Sequence, residues 1–449
     1  MTMKRAISTS IVTLLLLSFL PISAQEPLSL SEAIDIALKN NFQIQIADNN
    51  IDIAQTNNSW NEAGRYPSIA FNLNSQNGYT NRNDPSIVFQ PELSTISTNA
   101  SGNLDLAWVL FDGHKVRINK LRLEQLEQQS EGNAAVVVEN AIQAVILAYY
   151  QAQIQLEQVN VLEEVLQLSN DRIEYQEVRK EFGQASTFDI LQTKDAYLND
   201  STNYLLQLNA YEASLRNLNL AMGVEDLDRR YELTDPLVYA PEEFELDLLR
   251  ERMLASNNNL RTLFINRELA RSDRELQESN RAPRVLMNTG MTYSVNPRDN
   301  GDAVNFLTGE ELGVTVARNF NYYLNFTLSY NLFDAGQRKR RIENAMVREI
   351  SAQYSLEDQK RLLNNQLENT LATYNNQKRI LGLAEELVAN ARENLRIAEE
   401  RFKGGLITSF DYRTIQLGYI NASQSRLNAF FNLKATETDL IRLTGGLVR

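Results

Sequence analysis

Leu110-Phe111-Asp112-Gly113 returns about 222 residues later as Leu332-Phe333-Asp334-Ala335. The same offset carries Gly183-Gln184-Ala185-Ser186-Thr187-Phe188-Asp189 onto Gly405-Leu406-Ile407-Thr408-Ser409-Phe410-Asp411, and Gly223 onto Gly445. One unbroken offset across landmarks so far apart gives the segments between them equal length in both copies. Equal length is a demand of symmetric assembly rather than of chemistry. The chain is therefore read as two matched repeats, residues 25–223 and 244–449. A connector, residues 224–243, holds Pro236 and Pro241 and shows no site, so surface packing is expected for it.

Working outward from the Leu-Phe-Asp turns, the residues that lead into them alternate as strands do. Leu104, Leu106, Trp108 and Leu110 are interleaved with Asn103 and Asp105. Leu324, Phe326, Leu328, Tyr330 and Leu332 are interleaved with Asn325, Thr327, Ser329 and Asn331. Upstream, Pro67 and Pro283 push the residue before them towards extended geometry and end a helix. Ile69, Phe71 and Leu73 follow the first proline, and Val285, Met287, Met291 and Tyr293 the second. The pattern predicts β-hairpins at 68–111 and 284–333, each a pair of strands of about 10 residues around a long polar loop. That length suits a tilted strand crossing an outer membrane, apolar outward and polar inward. A soluble antiparallel sheet with one wet face is the alternative reading. Four strands cannot close a barrel, and about eight close one filled by its own side chains. Several chains must contribute; three would give 12 strands and room for water, and two or four stay open.

After each turn the pattern is helical for about 69 residues, Gly113 to Glu181 and Ala335 to Lys403, or roughly 100 Å. Asp112 and Asp334 are the expected N-caps. Val138, Ile142, Val145, Tyr149, Ala152, Leu156 and Val159 step by three and four, as do Leu381, Ala384, Val388, Ala391, Leu395, Ala398 and Phe402. Such spacing is the seam of a coiled coil. The returning helices, Thr187 to Met222 and Ser409 to Thr444, span roughly 54 Å and cover half of that length. They complete long helical hairpins at 113–222 and 335–444. The other half matches the helices before the strands, Leu28 to Tyr66, broken near Asn40-Asn41, and Phe244 to Ala282. Ser29 and Glu32 form a capping box at the first of these.

Lys4 and Arg5 precede an apolar run, Ile11 to Leu20, and Ile22-Ser23-Ala24 offers a cleavage site, so residues 1–24 read as a signal peptide. Export and the absence of another uninterrupted apolar stretch of ~18 residues leave strands to span any bilayer. Helices enter and leave each strand pair at one end, which places the helical hairpins in the periplasm and the polar loops outside. The formal charge is -13, and more negative by two once Lys4 and Arg5 are removed, which disfavours nucleic acid. No cysteine is present, which excludes disulfides and thiolate sites. The single histidine, His114, reads as a solvated residue near a helix start, and no phosphate loop, metal spacing or nucleophile elbow appears. Neither an enzyme nor a cofactor is expected.

In order and duplicated, these motifs resemble the TolC-like outer-membrane efflux proteins across essentially the whole mature chain. The stretches that carry the resemblance are Leu30-Ser31-Glu32-Ala33-Ile34-Asp35-Ile36-Ala37-Leu38-Lys39-Asn40-Asn41, Arg65-Tyr66-Pro67, Arg281-Ala282-Pro283, the paired Leu-Phe-Asp turns and the two Gly-x-x-[Ser/Thr]-x-Phe-Asp tips. The resemblance implies a mainly α protein with transmembrane β-structure. Three chains would share a 12-stranded barrel in the outer membrane, four strands from each, continued by an antiparallel coiled-coil tunnel in the periplasm. It implies a homotrimer in outer-membrane lipid, docked on a periplasmic adaptor and an inner-membrane pump, that conducts efflux or type I secretion substrates. A periplasmic coiled-coil adaptor or scaffold is the competing reading, although such a protein has no use for two pairs of membrane-length strands.

Gly183 and Gly405 stand where the long helices must turn back, and Ser186 and Thr408 then cap the returning helices with Asp189 and Asp411 three residues on. By resemblance, Asp411 is a ring residue of a periplasmic gate and Asp189 a latch partner. The sequence departs from the family pattern at Thr414, where a second acidic ring residue would stand, at Phe402 in place of a tyrosine, and at Ile407 in place of an arginine. A weaker acidic constriction is expected. The tips, Gly183 to Phe188 and Gly405 to Phe410, are the expected adaptor contact, with Phe188 and Phe410 as anchors.

Overall fold

The computed structural model describes residues 26–83, 92–238, 241–305 and 307–447, so the expected signal sequence lies outside the described residues. Two compact units divide the chain. One comprises Met1–Asp48, Ala134–Asn258 and Lys360–Arg449; the other comprises Asn49–Asn133 and Asn259–Gln359. Each unit draws segments from both sequence repeats.

The second of these units holds a four-stranded antiparallel sheet in the order β2 (Ser68–Asn83), β3 (Glu92–Phe111), β5 (Arg284–Asp299), β6 (Val314–Ser329). Pro67 and Pro283 immediately precede β2 and β5, as the extended bias of the residues around proline requires. In-register pairing gathers Phe71, Leu104, Met291 and Tyr322 on one face. One residue along, Asn72, Asn103, Thr292 and Asn321 share the other. The strands are 16, 20, 16 and 16 residues long, beyond the expected 10. Ser75 to Asn83 pairs on against Glu92 to Ala100. Here Ser, Thr and Asn occupy both faces, so the alternation disappears while the backbone ladder continues.

Two further expectations fail in this unit for local reasons. The helix before β2 does not run to Tyr66: α2 (Phe42–Asn57) ends early, and residues 58–66 fold in turns with Gly64 at φ 89°. Asp112 does not start the first long helix either. Gly113 and His114 are both left-handed, and α3 (Lys115–Glu181) begins with the Arg117 and Ile118 amides bonded to the His114 carbonyl. The second turn is built the same way: Ala335 and Gly336 are both left-handed, and α7 (Gln337–Lys403) starts at Gln337 rather than directly after Asp334. There the Asp334 carboxylate accepts the Gly336 and Arg338 amides at 3.1 and 2.9 Å across the turn.

The other unit is a helical assembly that also contains a small parallel pairing, β1 (Glu26–Leu28) with β4 (Tyr231–Leu233). Its helices are α1 (Leu30–Asn40), α4 (Thr187–Met222), α5 (Leu246–Ser256) and α8 (Ser409–Leu443), with parts of α2, α3 and α7; α6 (Asn258–Ser279) falls almost wholly in the sheet-bearing unit. The Ser29–Glu32 capping box forms as read. Seam residues Ile142, Val145, Tyr149, Ala152, Leu381, Leu395 and Ala398 are buried. By length and composition α3 also passes as a membrane span, but the burial of Val145, Tyr149 and Ala152 marks that apolar surface as core.

One device appears in both repeats. The Asn41 side chain donates to the Ala221 carbonyl at 3.1 Å, and Asn257 donates to the Leu443 carbonyl at 3.0 Å. Each asparagine breaks a short helix beside the end of a returning helix. There Gly223 and Gly445 are left-handed, and a Cβ would come within 2.7 Å of the Asn40 carbonyl oxygen and 2.3 Å of that of Ser256. The second break, between α5 and α6, was not expected from the sequence. Asn41 and Asn257 lie about 216 residues apart, as Pro67 and Pro283 do, so the two hairpins differ in length by about six residues.

The connector proves more than a surface linker. Tyr231 is buried with Leu28, Ala33, Ala37, Val145, Tyr149, Leu218 and Met222. The Asp235 carboxylate accepts the Leu30 amide at 2.7 Å and lies 2.6 Å from the Tyr149 hydroxyl, which is also 2.9 Å from the Leu28 carbonyl. Burial, then the Asp235 carboxylate, push the Tyr149 hydroxyl well above its ordinary value, so it stays a proton donor. Tyr149→Phe leaves a buried acceptor without its donor and should cost about 1–3 kcal/mol. The expected readout is a lower melting temperature with faster proteolytic nicking within 224–243; an unchanged cleavage rate would contradict the role given to this hydroxyl.

Candidate functional site

The two hairpin tips are built alike. Gly183 and Gly405 have φ of 71° and 70° and close the ends of α3 and α7. At the start of α4, the Ser186 hydroxyl accepts the Asp189 amide at 3.2 Å, and the Asp189 carboxylate accepts the Ser186 amide at 2.8 Å. Thr408 and Asp411 repeat this at the start of α8, both at 3.1 Å. Hydrogen bonds from Ser186 and Thr408 hold the two carboxyls below the ordinary aspartate range. A depressed carboxyl contributes stability that is present above its unfolded value and is lost as pH falls through the folded one. These aspartates are therefore ionised helix starters throughout the neutral range.

Around these caps the side chains divide. Phe188 and Phe410 are 70% and 68% exposed, so neither packs inside its own hairpin. Thr414 is exposed, its hydroxyl donating back to the Phe410 carbonyl at 3.0 Å. Phe402 goes the other way. It is buried, stacked on Tyr412 with ring centroids 5.1 Å apart and edge-on to Tyr175 at 5.1 Å. Phe402 thus lies in the core beneath the tip, whereas Asp411 and Thr414 are at its surface.

The strongest link between the two hairpins was not read from the sequence. Arg413 of α8 makes a two-pronged ion pair with Asp200 of α4, at 2.7 and 2.6 Å, and the Ser169 hydroxyl of α3 donates to the same carboxylate at 2.7 Å. Asp200 is 3% exposed. Beside it, Arg172 is equally buried and donates to the Gln416 side chain at 3.3 Å. Burial and then the Arg413 charge push Arg172 down to about 10, with Asp200 opposing. The Arg172 Nε atom makes no hydrogen bond among the described residues. A signal did exist: Gln416 interrupts the buried row of Tyr412, Tyr419 and Ser423 on α8, where the seam should be apolar.

The polar face of the sheet is the third element. It carries Asn72, Asn74, Asn103, Asn288, Asn319, Asn321 and Asn325, with hydroxyls between them. The opposite face carries Phe71, Leu73, Leu104, Leu106, Tyr322, Leu324, Phe326 and Leu328. Most of these are exposed, although they are among the largest apolar side chains of the chain. An apolar outer face and an amide-rich inner one are the two surfaces of a wall between lipid and water.

The sequence model of the outer membrane efflux protein family matches residues 33–224 and 249–446. The chain belongs to this family. It is accordingly an efflux channel of the outer membrane with its helices on the periplasmic side. Among curated proteins none matches it by sequence. Among solved structures, the Campylobacter jejuni CmeC outer membrane channel superposes with a TM-score of 0.73 at 14% identity, covering 93% of this chain and 85% of that one. The outer membrane protein VceC of Vibrio cholerae gives 0.71 at 15%, covering 93% and 96%. The open state of the Neisseria gonorrhoeae MtrE outer membrane channel gives 0.67 at 17%, covering 93% and 89%. At such identities the likeness speaks for the fold alone.

Removing one partner of the Asp200–Arg413 pair leaves a buried charge uncompensated, which typically costs about 3–5 kcal/mol. Asp200→Asn should therefore destabilise the efflux channel far more than Asp189→Asn, whose carboxylate is exposed. Comparing the melting temperatures of the two variants checks this, and equal losses would contradict it.

Proposed function

We propose that three copies of the chain close a 12-stranded barrel, continued by a helical tunnel, and that the assembly is a passive exit duct rather than an enzyme. The observation that carries the reading is the sheet itself. It has four strands, one apolar face, one amide face and two outer strands, β2 and β6, without partners on their far sides among the described residues. Four strands cannot close on themselves, and three copies supply 12. Residues 1–24 serve as the signal for export, and the repeats 25–223 and 244–449 give the trimer a six-fold-like symmetry. Native mass after mild detergent extraction tests this. Three chains recovered from the outer-membrane fraction are expected, and a monomer released without detergent would overturn the reading.

Substrates reach the duct from a periplasmic adaptor and an inner-membrane pump. The exposed Phe188 and Phe410, with Gly183, Ser186, Gly405 and Thr408 shaping their loops, form the adaptor contact. The tips also close the duct. Asp411, with Thr414 one turn on, lines a weak acidic constriction. The buried Asp200–Arg413 pair, rather than Asp189, holds the α7/α8 hairpin against the α3/α4 hairpin. Asp411→Ala should weaken block by divalent cations in single-channel recordings, while Asp200→Ala should raise the conductance of the resting channel. A channel unchanged by Asp411→Ala in both conductance and block would remove the acidic constriction from the proposal.

A further inference from the structure

We infer that Asp105, with Tyr323 as its positioning residue, sets the charge preference of the barrel interior and makes it favour cations and neutral polar solutes over anions. The inference rests on the proposed trimeric barrel and concerns a level of the duct remote in sequence from the tips. Asp105 lies on the amide-rich face of β3, in a row of the sheet formed by Ala70, Asp105, Gly290 and Tyr323. The rows on either side are uncharged: Ser68, Ala107, Asn288 and Asn325 on one, and Asn72, Asn103, Thr292 and Asn321 on the other. The next row, Asn74, Ser101, Ser294 and Asn319, is uncharged as well. On this face of the described strands the other formal charges are Arg284 at one end and Arg82 and Arg298 at the other. Asp105 is thus the single fixed charge in the middle of the wall.

Its placement is built rather than incidental. The Tyr323 hydroxyl reaches across the whole width of β5 and donates to the Asp105 carboxylate at 2.6 Å. Position 290 lies directly between them, and it is glycine. A Cβ there would stand 2.9 Å from the Tyr323 hydroxyl, 3.0 Å from the carboxylate oxygen and 2.6 Å from the Leu104 carbonyl. A side chain at 290 would force this bond apart. The donor is a neutral phenol, and no cation pairs with Asp105 among the described residues, so the bond fixes the carboxylate without cancelling its charge. A hydrogen-bonded aspartate that keeps its charge on a water-facing wall attracts cations, and rings of Asp or Glu make pores cation-selective. One copy from each protomer gives such a ring, framed by amides that offer hydrogen bonds to neutral polar solutes.

The test is the reversal potential of the channel in planar bilayers under a KCl gradient. Recordings are made in the parent channel and again in an Asp411→Asn background, so that the tips do not supply the signal. A cation preference is expected in both. Asp105→Asn should lose it, Asp105→Lys should shift it to the anion side, and Asp105→Glu should retain it. Tyr323→Phe keeps the charge and should keep the sign. An unchanged reversal potential in Asp105→Asn would overturn the inference. So would an equal loss in Tyr323→Phe, because that would trace the effect to the sheet rather than to the charge. A parent protein that forms no conducting channel at all would instead count against the barrel.

Discussion

The structure depends on one constraint, the two unpaired edges of a four-stranded sheet. Along β2 and β6 the outward N–H and C=O groups have no partner strand among the described residues. In water such an edge is solvated, whereas in hydrocarbon each unsatisfied group costs several kcal/mol. The apolar face excludes water from one side, and in the barrel proposed above the edge is filled by another copy of the chain. In the proposed barrel, closure around an axis makes the two hairpins of one chain near-equivalent, and each is then followed by helices of matching length. The near-equal lengths of the two repeats follow from geometry before any transport chemistry is considered.

What the sequence displays most clearly are features whose physics is local. A capping box is four residues long, a proline biases its immediate neighbour, and a glycine at a helix turn answers a single φ angle. The boxes at Ser29, Ser186 and Thr408 were accordingly legible, as were Pro67, Pro283, Gly183 and Gly405. The apolar alternation of β3 and β6 was legible because one face of the wall meets an apolar medium. It failed beyond Ser75, where both faces meet water and only the backbone ladder continues. The helix starts after Asp112 and Asp334 were misjudged, because two left-handed followers in each copy, Gly113 and His114 and then Ala335 and Gly336, move them to Lys115 and Gln337.

The long-range features were not legible, and for a common reason. Asn257 looks like any surface asparagine until the Leu443 carbonyl is brought to it by a chain segment far away in sequence. Asp235 reads as part of a polar connector, although it gathers the Leu30 amide and the Tyr149 hydroxyl. Gly290 reads as a weak point in a strand, and its purpose emerges only when Asp105 and Tyr323 occupy the same row. Asp200 and Arg413 look like two of the many charges that solvate helices. Their pairing depends on which faces of the two hairpins meet, and that was not contained in either seam alone.

The Asp200–Arg413 pair also says something about how a tip of this kind can open. A dry ion pair with Ser169 on its carboxylate is stable only while both partners remain together, because separation leaves a guanidinium and a carboxylate in a poor solvent. Arg172 adds to the asymmetry. It is buried next to Arg413, carries the same charge and has no partner for Nε among the described residues, so the cluster already holds more positive than negative charge. Pulling the α7/α8 hairpin away would be costly unless water entered as the helices parted. Opening and hydration must then be a single event, and a small displacement that admits no water gains nothing. In the gate proposed above, a tip held this way stays shut against thermal motion of the exposed loops at Gly183 and Gly405, and opens when the proposed adaptor, bound to those loops, parts the hairpins far enough to wet the cluster.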